Sequence, residues 1–288
     1  MSERFVEGNG LRIWTEDFGN RSDPPILLIM GASAQGIQWP EAFIERLVAA
    51  GRYAIRYDNR DTGRSTCFDF AKSPYTLDDL ARDAVAVLDG YDLTSAHVVG
   101  ASMGGMIAQQ LMIRHAERVQ SATIIMSSPL SGAALMSGAV LPAPDPKFLE
   151  AFAALGATPV ETREQQIEMR VAVFSMLAGR IRPDVDAIRA IATREVARAT
   201  NFAAQANHGL AITTTTPEDR RPLLRATSIP TLVVHGSDDP LVPLAHGKAL
   251  ADAIPRARLM TIDGMGHDLP QSQWPDVTQA IVDLTRGA

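Results

Sequence analysis

Short β-rich runs alternate with amphipathic helical patterns over most of this chain, and this alternation restricts the fold more than any other feature. Strands joined through helices pair in parallel, and the helices then cover both faces of the sheet. The sequence therefore predicts an α/β fold with a mostly parallel twisted sheet. The predicted strands are 11–17 (an edge strand), 26–30, 53–57, 97–100, 122–126, 231–235 and 258–262, and the predicted helices are 41–50, 77–89, 106–115, 247–253 and 277–285.

The alternation stops near Pro129 and resumes near Ile229. Between these points a proline-rich loop is followed by helical patterns at 147–155, 163–177 and 183–207, with no strand between them. We interpret residues 129–222 as a helical cap, or lid, inserted into a core domain formed by residues 1–128 and 223–288.

Composition excludes several classes of protein. Hydrophobic residues make up 46% and charged residues 21%, as in ordinary globular proteins. A net charge of -6 argues against nucleic-acid or membrane partners, because phosphate binding relies on clustered Lys and Arg. With a single cysteine, Cys67, no secretory stretch near the start and no apolar run of membrane-spanning length, we expect a cytoplasmic protein. We expect a small-molecule partner, and a homodimer stays open.

A serine flanked by small residues lies where a predicted strand meets a helical pattern. The segment Gly100-Ala101-Ser102-Met103-Gly104 has the form G-x-S-x-G and follows the strand at 97–100. A serine at such a sharp turn is exposed at the carboxyl end of the sheet, and its neighbours must be small because bulky side chains would collide with the strand and helix. The pattern predicts that Ser102 is a nucleophile, with a tight structural turn as the alternative.

A serine nucleophile needs a histidine to remove its proton and a carboxylate to hold that histidine. His267 follows a Gly-Met-Gly segment in the loop after the last predicted strand, at the same sheet edge as Ser102. Asp238 and Asp239 follow the strand at 231–235, and Asp239 is favoured because Pro240 restricts it to an extended conformation. Among the other histidines, His97 and His235 are assigned to the core or to the residues that support the triad from behind, and His208 could face the pocket from the insertion.

Acyl transfer also needs donors for the oxyanion. One candidate is the backbone N–H of Met103, directly after the nucleophile, and the other is an N–H of the loop at 31–36, where Ala32 is favoured. No spaced metal-ligand motif and no glycine-rich phosphate loop is found; the nearest metal candidate, His235 with Asp238 and Asp239, is weaker than the triad. The sequence implies no metal and no cofactor.

These residues resemble the α/β-hydrolase superfamily over nearly the whole chain, and within it the aclacinomycin methylesterase group, which removes a methyl ester from an anthracycline polyketide. The resemblance implies the triad Ser102, Asp239 and His267 with oxyanion donors at Ala32 and Met103, and it implies that Arg60 and Asp61 brace loops near the site. It fades over residues 129–222. The segments that carry it are 1–4, 28–31, 56–66, 83–90, 246–248 and 264–267.

The insertion supplies apolar side chains suited to a pocket for a bulky hydrophobic ester. Trp39 is expected near the entrance, although ordinary packing would explain these residues too. The predicted substrate-binding residues are Gly31, Ser33, Trp39, Leu130, Met136 and Phe174.

The sequence therefore predicts a carboxylic-ester hydrolase that works through an acyl-enzyme. Hydrolysis of a lactone, an amide or a carbon–carbon bond stays open, as does cofactor-free perhydrolysis, because all of these reactions could use the same five residues. A non-catalytic ligand-binding protein on this scaffold is the alternative from another class, although such a protein usually lacks a triad member.

Overall fold

One eight-stranded sheet forms the centre of the molecule, and its strands lie in the order β1-β2-β4-β3-β5-β6-β7-β8. The computed structural model describes residues 2–216 and 218–287, so that Met1, Pro217 and Ala288 lie outside the described residues. The strands are β1 (Ser2–Gly8), β2 (Leu11–Phe18), β3 (Pro25–Ile29), β4 (Tyr53–Tyr57), β5 (Ala96–Ala101), β6 (Val119–Ile125), β7 (Thr231–Gly236) and β8 (Ala257–Ile262).

The strands β3 to β8 pair in parallel, which confirms the predicted mostly parallel sheet. The carboxyl ends of β3, β5, β7 and β8 therefore meet at one edge, and the loops that follow these strands lie side by side. This edge is where an open α/β sheet binds its ligands.

The prediction that residues 11–17 form an edge strand is wrong. It corresponds to β2, which lies inside the sheet between β1 and β4 and pairs with both in an antiparallel manner. The true edge strand is β1, which joins β2 through a two-residue turn. Asn9 (φ 52°) and Gly10 (φ 74°) occupy this turn in the left-handed region that such hairpins require.

Helices cover both faces of the sheet because side chains alternate along each strand. Leu27 and Ile29 of β3 pack in one core cluster, and their neighbours Ile26 and Leu28 pack in the other. The first cluster includes residues of α2 (Leu77–Gly90), α3 (Met103–Arg114) and α10 (Leu244–Ala253), and the second includes residues of α1 (Glu41–Ala49) and α11 (Trp274–Arg286).

In the described residues between β6 and β7 there are six α-helices. They are α4 (Gly132–Met136), α5 (Pro146–Gly156), α6 (Arg163–Leu177), α7 (Val185–Arg198), α8 (Asn207–Thr214) and α9 (Arg221–Leu224). The prediction of a single helix over residues 183–207 is wrong, because α7 ends at Arg198 and a short 3-10 turn (Phe202–Ala206) precedes α8. The Asn201 side chain accepts the backbone N–H of Ala203 and begins this new turn. We use the term cap for these six helices and their connections.

The cap is fastened to the sheet by a buried arginine near its carboxyl-terminal end. Arg220 donates hydrogen bonds to Oε1 of Gln109 at 3.0 Å and to the carbonyl oxygens of Ser128 (2.9 Å) and Leu130 (3.3 Å). Gln109 lies on α3, the helix that follows Ser102. In the part of the chain that the structure describes, no helix is both long and apolar enough to span a membrane.

Candidate active site at the carboxyl end of the sheet

Ser102 lies in the turn between β5 and α3 with φ 54° and ψ -117°, a conformation that non-glycine residues rarely adopt. The turn is held because the Ser102 N–H donates to the carbonyl of Ile125 at 2.9 Å. A Cβ at Gly100 would lie 2.1 Å from the carbonyl oxygen of Gly104, and one at Gly104 would lie 2.1 Å from that of Ile29. Only glycine fits at these two positions.

His267 and Asp239 lie in line with Ser102. Nε2 of His267 is 2.9 Å from Oγ of Ser102, and Nδ1 is 2.8 Å from Oδ2 of Asp239. Oδ1 of Asp239 accepts the backbone N–H groups of Leu241 (3.0 Å) and Val242 (2.7 Å). Because Asp239 accepts the Nδ1–H, the Nε2 lone pair of His267 faces the serine hydroxyl, as a general base requires.

Two titratable residues close to Asp239 in the sequence, Asp238 and His235, have different surroundings. Asp238 is bound by the exposed Arg180, whose Nε lies 2.7 Å from Oδ2, and this bond lowers the pKa of Asp238 below its ordinary value. His235 is buried, donates from Nε2 to the carbonyl of Val242 at 2.7 Å, and lies 3.5 Å from Asp239. Burial lowers the pKa of His235, which keeps it neutral beside the carboxylate.

Asp268, the residue after His267, is a second carboxyl group at the site. Burial raises its pKa to about 6 against a smaller opposing effect of the Gly266 backbone. Its Oδ1 atom is buried, and no group among residues 2–216 and 218–287 donates a hydrogen bond to it. Sequence reasoning did not single out this residue, since a carboxylate next to a histidine is common on exposed loops.

The loop after β3, residues 31–38, lies against the serine. A Cβ at Gly31 would be 3.1 Å from Cβ of Ser102, which is tighter than an ordinary contact, so that glycine favours this close approach. Within residues 2–216 and 218–287, no group accepts the backbone N–H of Ala32 or of Met103, the first residue of α3. The N–H groups of Ser33, Gln35 and Gly36 are all bonded. We name residues 31–38 the oxyanion loop.

The predicted substrate-binding residues have different environments. Gly31 abuts Ser102, and the Ser33 hydroxyl donates to the carbonyl of Gln205 in the cap at 2.9 Å. Leu130 is fully buried at the root of the cap. Phe174 is half-buried on α6 with the Arg170 guanidinium 4.8 Å from its ring centroid.

Two other predicted substrate-binding residues, Trp39 and Met136, differ in their exposure to solvent. Trp39 is 2% exposed and packs against Phe43 of α1, with ring centroids 5.4 Å apart, because its apolar ring fills the core under the oxyanion loop. Its surroundings fit ordinary packing, which is the alternative that the sequence left open for this residue. Met136 ends the short helix α4 and is 47% exposed.

Three polar residues that the sequence left without a catalytic role contact the oxyanion loop, namely Asp58, Glu195 and His208. Arg60 and Asp61 brace nearby loops: Arg60 pairs with Asp83 at 2.6 Å, and Asp61 accepts the Tyr75 hydroxyl at 2.6 Å. In the ranges 2–216 and 218–287, no group of three or more His, Cys, Asp or Glu side chains is arranged to hold a metal ion.

Comparison with known proteins shows what the whole chain is similar to. Residues 24–270 match the family model described as alpha/beta hydrolase fold. The chain is 37% identical to the rhodomycin D methylesterase DnrP of Streptomyces peucetius, over 100% of this chain and 99% of that protein. It is 36% identical, with the same coverage, to the rhodomycin D methylesterase DauP of Streptomyces sp. (strain C5).

Solved structures show the same fold. The chain superimposes on an esterase from Exiguobacterium antarcticum with a TM-score of 0.79 and 20% identity, over 98% of each chain.

Proposed function

We propose, from the premise that this chain belongs to the alpha/beta hydrolase fold family and hydrolyses carboxylic esters, that Ser102 is its nucleophile. His267 is the general base, Asp239 orients it, and the N–H groups of Ala32 and Met103 receive the oxyanion. The observation that carries the proposal is the continuous hydrogen-bond chain from the Ser102 hydroxyl through the imidazole to the carboxylate, with distances of 2.9 and 2.8 Å.

The reaction proceeds in two halves. Oγ of Ser102 attacks the ester carbonyl while Nε2 of His267 takes the hydroxyl proton, and the negative charge develops on the former carbonyl oxygen between the two N–H donors. The imidazolium then gives its proton to the departing alkoxide, which leaves an acyl-enzyme on Ser102. Water, deprotonated by the same imidazole, releases the acid and restores the serine.

Met103 is suited to the oxyanion because it is the first residue of α3. The first N–H groups of a helix have no partner within the helix, and the helix dipole favours negative charge at this end. The N–H points from the same turn that exposes Ser102. The helix therefore supplies a donor without any polar side chain.

We also propose that the substrate is a methyl ester of a bulky hydrophobic acid, resembling a polyketide. Two relatives at 36–37% identity over the full chain are named rhodomycin D methylesterases. The cap supplies an apolar side chain for such a substrate in Phe174, which is half-buried on α6. No charged anchor is needed for a neutral ester, and the partner of this protein is then a small molecule.

The nucleophile is tested with Ser102→Ala. We expect kcat to fall about 10⁴-fold or more, since loss of the nucleophile alone removes most of the catalysis of a triad. A fluorophosphonate probe is expected to label the wild-type protein and not the variant. Ser272→Ala, at an exposed serine, is the matched control and keeps full labelling. Near-normal turnover by Ser102→Ala would refute the mechanism.

The substrate class is tested by comparing kcat/KM for methyl esters of polycyclic acids with that for p-nitrophenyl esters of graded acyl length. We expect the polycyclic methyl esters and the longer acyl chains to be preferred, because their apolar surface is buried under the cap. A clear preference for acetyl over longer esters would refute the bulky substrate and leave the triad untouched.

A further inference from the structure

We propose that two buried residues of the cap, His208 and Glu195, are positioning residues that hold the oxyanion loop in its catalytic geometry. This inference rests on the proposed function, and it assigns the cap a part in the chemical step. The cap then sets the rate as well as the choice of substrate.

The first contact joins α8 to Ser33. Nδ1 of His208 accepts the Ser33 N–H at 3.0 Å, and its Nε2 donates to the carbonyl of Arg60 at 2.7 Å. Both ring nitrogens are used, so the imidazole is neutral and in one tautomer. Burial lowers the pKa of His208 and keeps it in that form. His208 is fully buried and does not reach the triad, so a direct acid–base role is excluded by its bonds.

Ser33 needs this support because it has a positive φ of 57°. A non-glycine residue in that region costs about 1–2 kcal/mol and persists only when surrounding contacts fix it. The cap supplies two such contacts, through His208 to the N–H and through the carbonyl of Gln205 to the hydroxyl at 2.9 Å. Ser33 is the residue directly after the proposed donor Ala32, so the bond to its N–H fixes the peptide plane that follows Ala32 and thereby restrains the position of that donor.

The second contact joins α7 to Gln35. Oε1 of Glu195 accepts the Gln35 N–H at 3.1 Å and Nε2 of Gln38 at 2.9 Å. Its other oxygen, Oε2, accepts Nη2 of Arg170 at 2.7 Å. Buried ion pairs add little to stability because desolvation offsets their attraction. A fixed, fully occupied carboxylate facing a loop backbone is better explained by the positioning of that loop.

The core domain binds a further position of the loop, since the Gly36 N–H donates to Oδ1 of Asp58 at 2.8 Å. The N–H groups of residues 33, 35 and 36 thus all point away from the serine, and that of Ala32 stays available. A displacement of about 1 Å at a catalytic group costs on the order of 100-fold in rate. Loss of either cap contact is therefore expected to lower kcat.

The experiment uses two substitutions of one residue. In His208→Asn the amide oxygen takes the place of Nδ1 and can still accept the Ser33 N–H. In His208→Gln the amide reaches the place of Nε2, and the acceptor for Ser33 is lost. With a p-nitrophenyl ester, we expect His208→Gln to lower kcat about 10- to 100-fold with little change in KM. His208→Asn is expected to stay within about threefold of the wild type, since it keeps that acceptor.

A second readout separates positioning from general loosening. A trifluoromethyl ketone forms a hemiketal on the serine and places its oxyanion between the donors. Its affinity is expected to fall by the same factor as kcat in His208→Gln, and product binding is expected to be unchanged. Glu168→Gln is the matched control, because Glu168 forms an exposed pair with Arg189 on the same two helices, α6 and α7, and makes no bond to the loop.

Glu195 supplies an independent pair of variants if His208→Gln does not fold. In Glu195→Gln the amide oxygen turns to the charged Arg170, and its NH₂ group faces the Gln35 N–H and repels it. Adding Arg170→Met frees the amide to turn its oxygen back to Gln35. We therefore expect Glu195→Gln to lower kcat and the double variant to recover it.

The inference is overturned if His208→Gln keeps the wild-type kcat, if both His208 variants lose kcat equally, or if Arg170→Met brings no recovery. Failure of the proposed function looks different. In that case the wild-type protein stays unlabelled by fluorophosphonate, or Ser102→Ala keeps its activity, whatever the cap variants do.

Discussion

The carboxyl group of Asp268 gives a stability prediction that can be worked out from the structure. Burial raises its pKa from 3.8 to about 6, so the folded state holds this proton more tightly than the unfolded state. Stability is therefore lost as the pH rises from about 4 to about 6. At about 1.4 kcal/mol per pKa unit, the loss above pH 6 is about 3 kcal/mol.

Asp268→Asn removes this cost, because the amide stays neutral at every pH. We expect the variant to be more stable than the wild type by about 3 kcal/mol at pH 8 and by about 1 kcal/mol at pH 4.5. For a chain of this size that gain corresponds to a rise in Tm of roughly 5–10 °C at pH 8.

Urea denaturation followed by tryptophan fluorescence at both pH values measures the two differences. Asp252→Asn is the control, because Asp252 is an exposed carboxylate on α10 and its substitution is expected to change stability little at either pH. The reasoning is refuted if Asp268→Asn is less stable than the wild type at pH 8, or if its gain does not depend on pH.

Two further predictions concern the triad and the oxyanion loop. In Asp239→Asn the amide oxygen still accepts the Leu241 and Val242 N–H groups, so its NH₂ group faces His267 and forces the wrong imidazole tautomer. We expect kcat to fall about 10⁴-fold with Tm unchanged. A much milder loss of kcat would contradict the role of Asp239. In Gly36→Ala the new Cβ would lie 2.4 Å from the Tyr57 carbonyl oxygen, which is expected to cost about 1–3 kcal/mol in urea denaturation, whereas Gly209→Ala, with open space around it, is expected not to destabilise.

The sheet and its helices could be predicted because their signals are local. Apolar periodicity marks each buried strand and each amphipathic helix, and the seven strands β2 to β8 and five helices of the core follow it. The strand β1 (Ser2–Gly8) was missed because an edge strand exposed to solvent can carry charged residues such as Glu3, Arg4 and Glu7 without a penalty. The only sequence signal for it was the Asn9-Gly10 turn.

The residues of the site also differ in whether a local sequence pattern predicts them. Ser102, Asp239 and His267 each follow a strand end with a recognisable local pattern, and the structure brings their side chains within hydrogen-bond distance. Glu195 has no such pattern, because it meets Gln35 across 160 residues of sequence and only the folded cap brings them together. The sequence shows that Trp39 is an apolar residue, but it does not show whether the ring faces the core or a pocket.

The bonds from α7 and α8 to the oxyanion loop have a consequence for recombination among related enzymes. A cap transplanted from a homologue brings new substrate preferences, but it brings the two acceptors for the Ser33 and Gln35 amides only if its helices carry them in register. Chimaeras cut at the cap boundaries are then expected to change turnover together with selectivity. Grafts that retain Glu195 and His208 offer a way to alter one property while preserving the other.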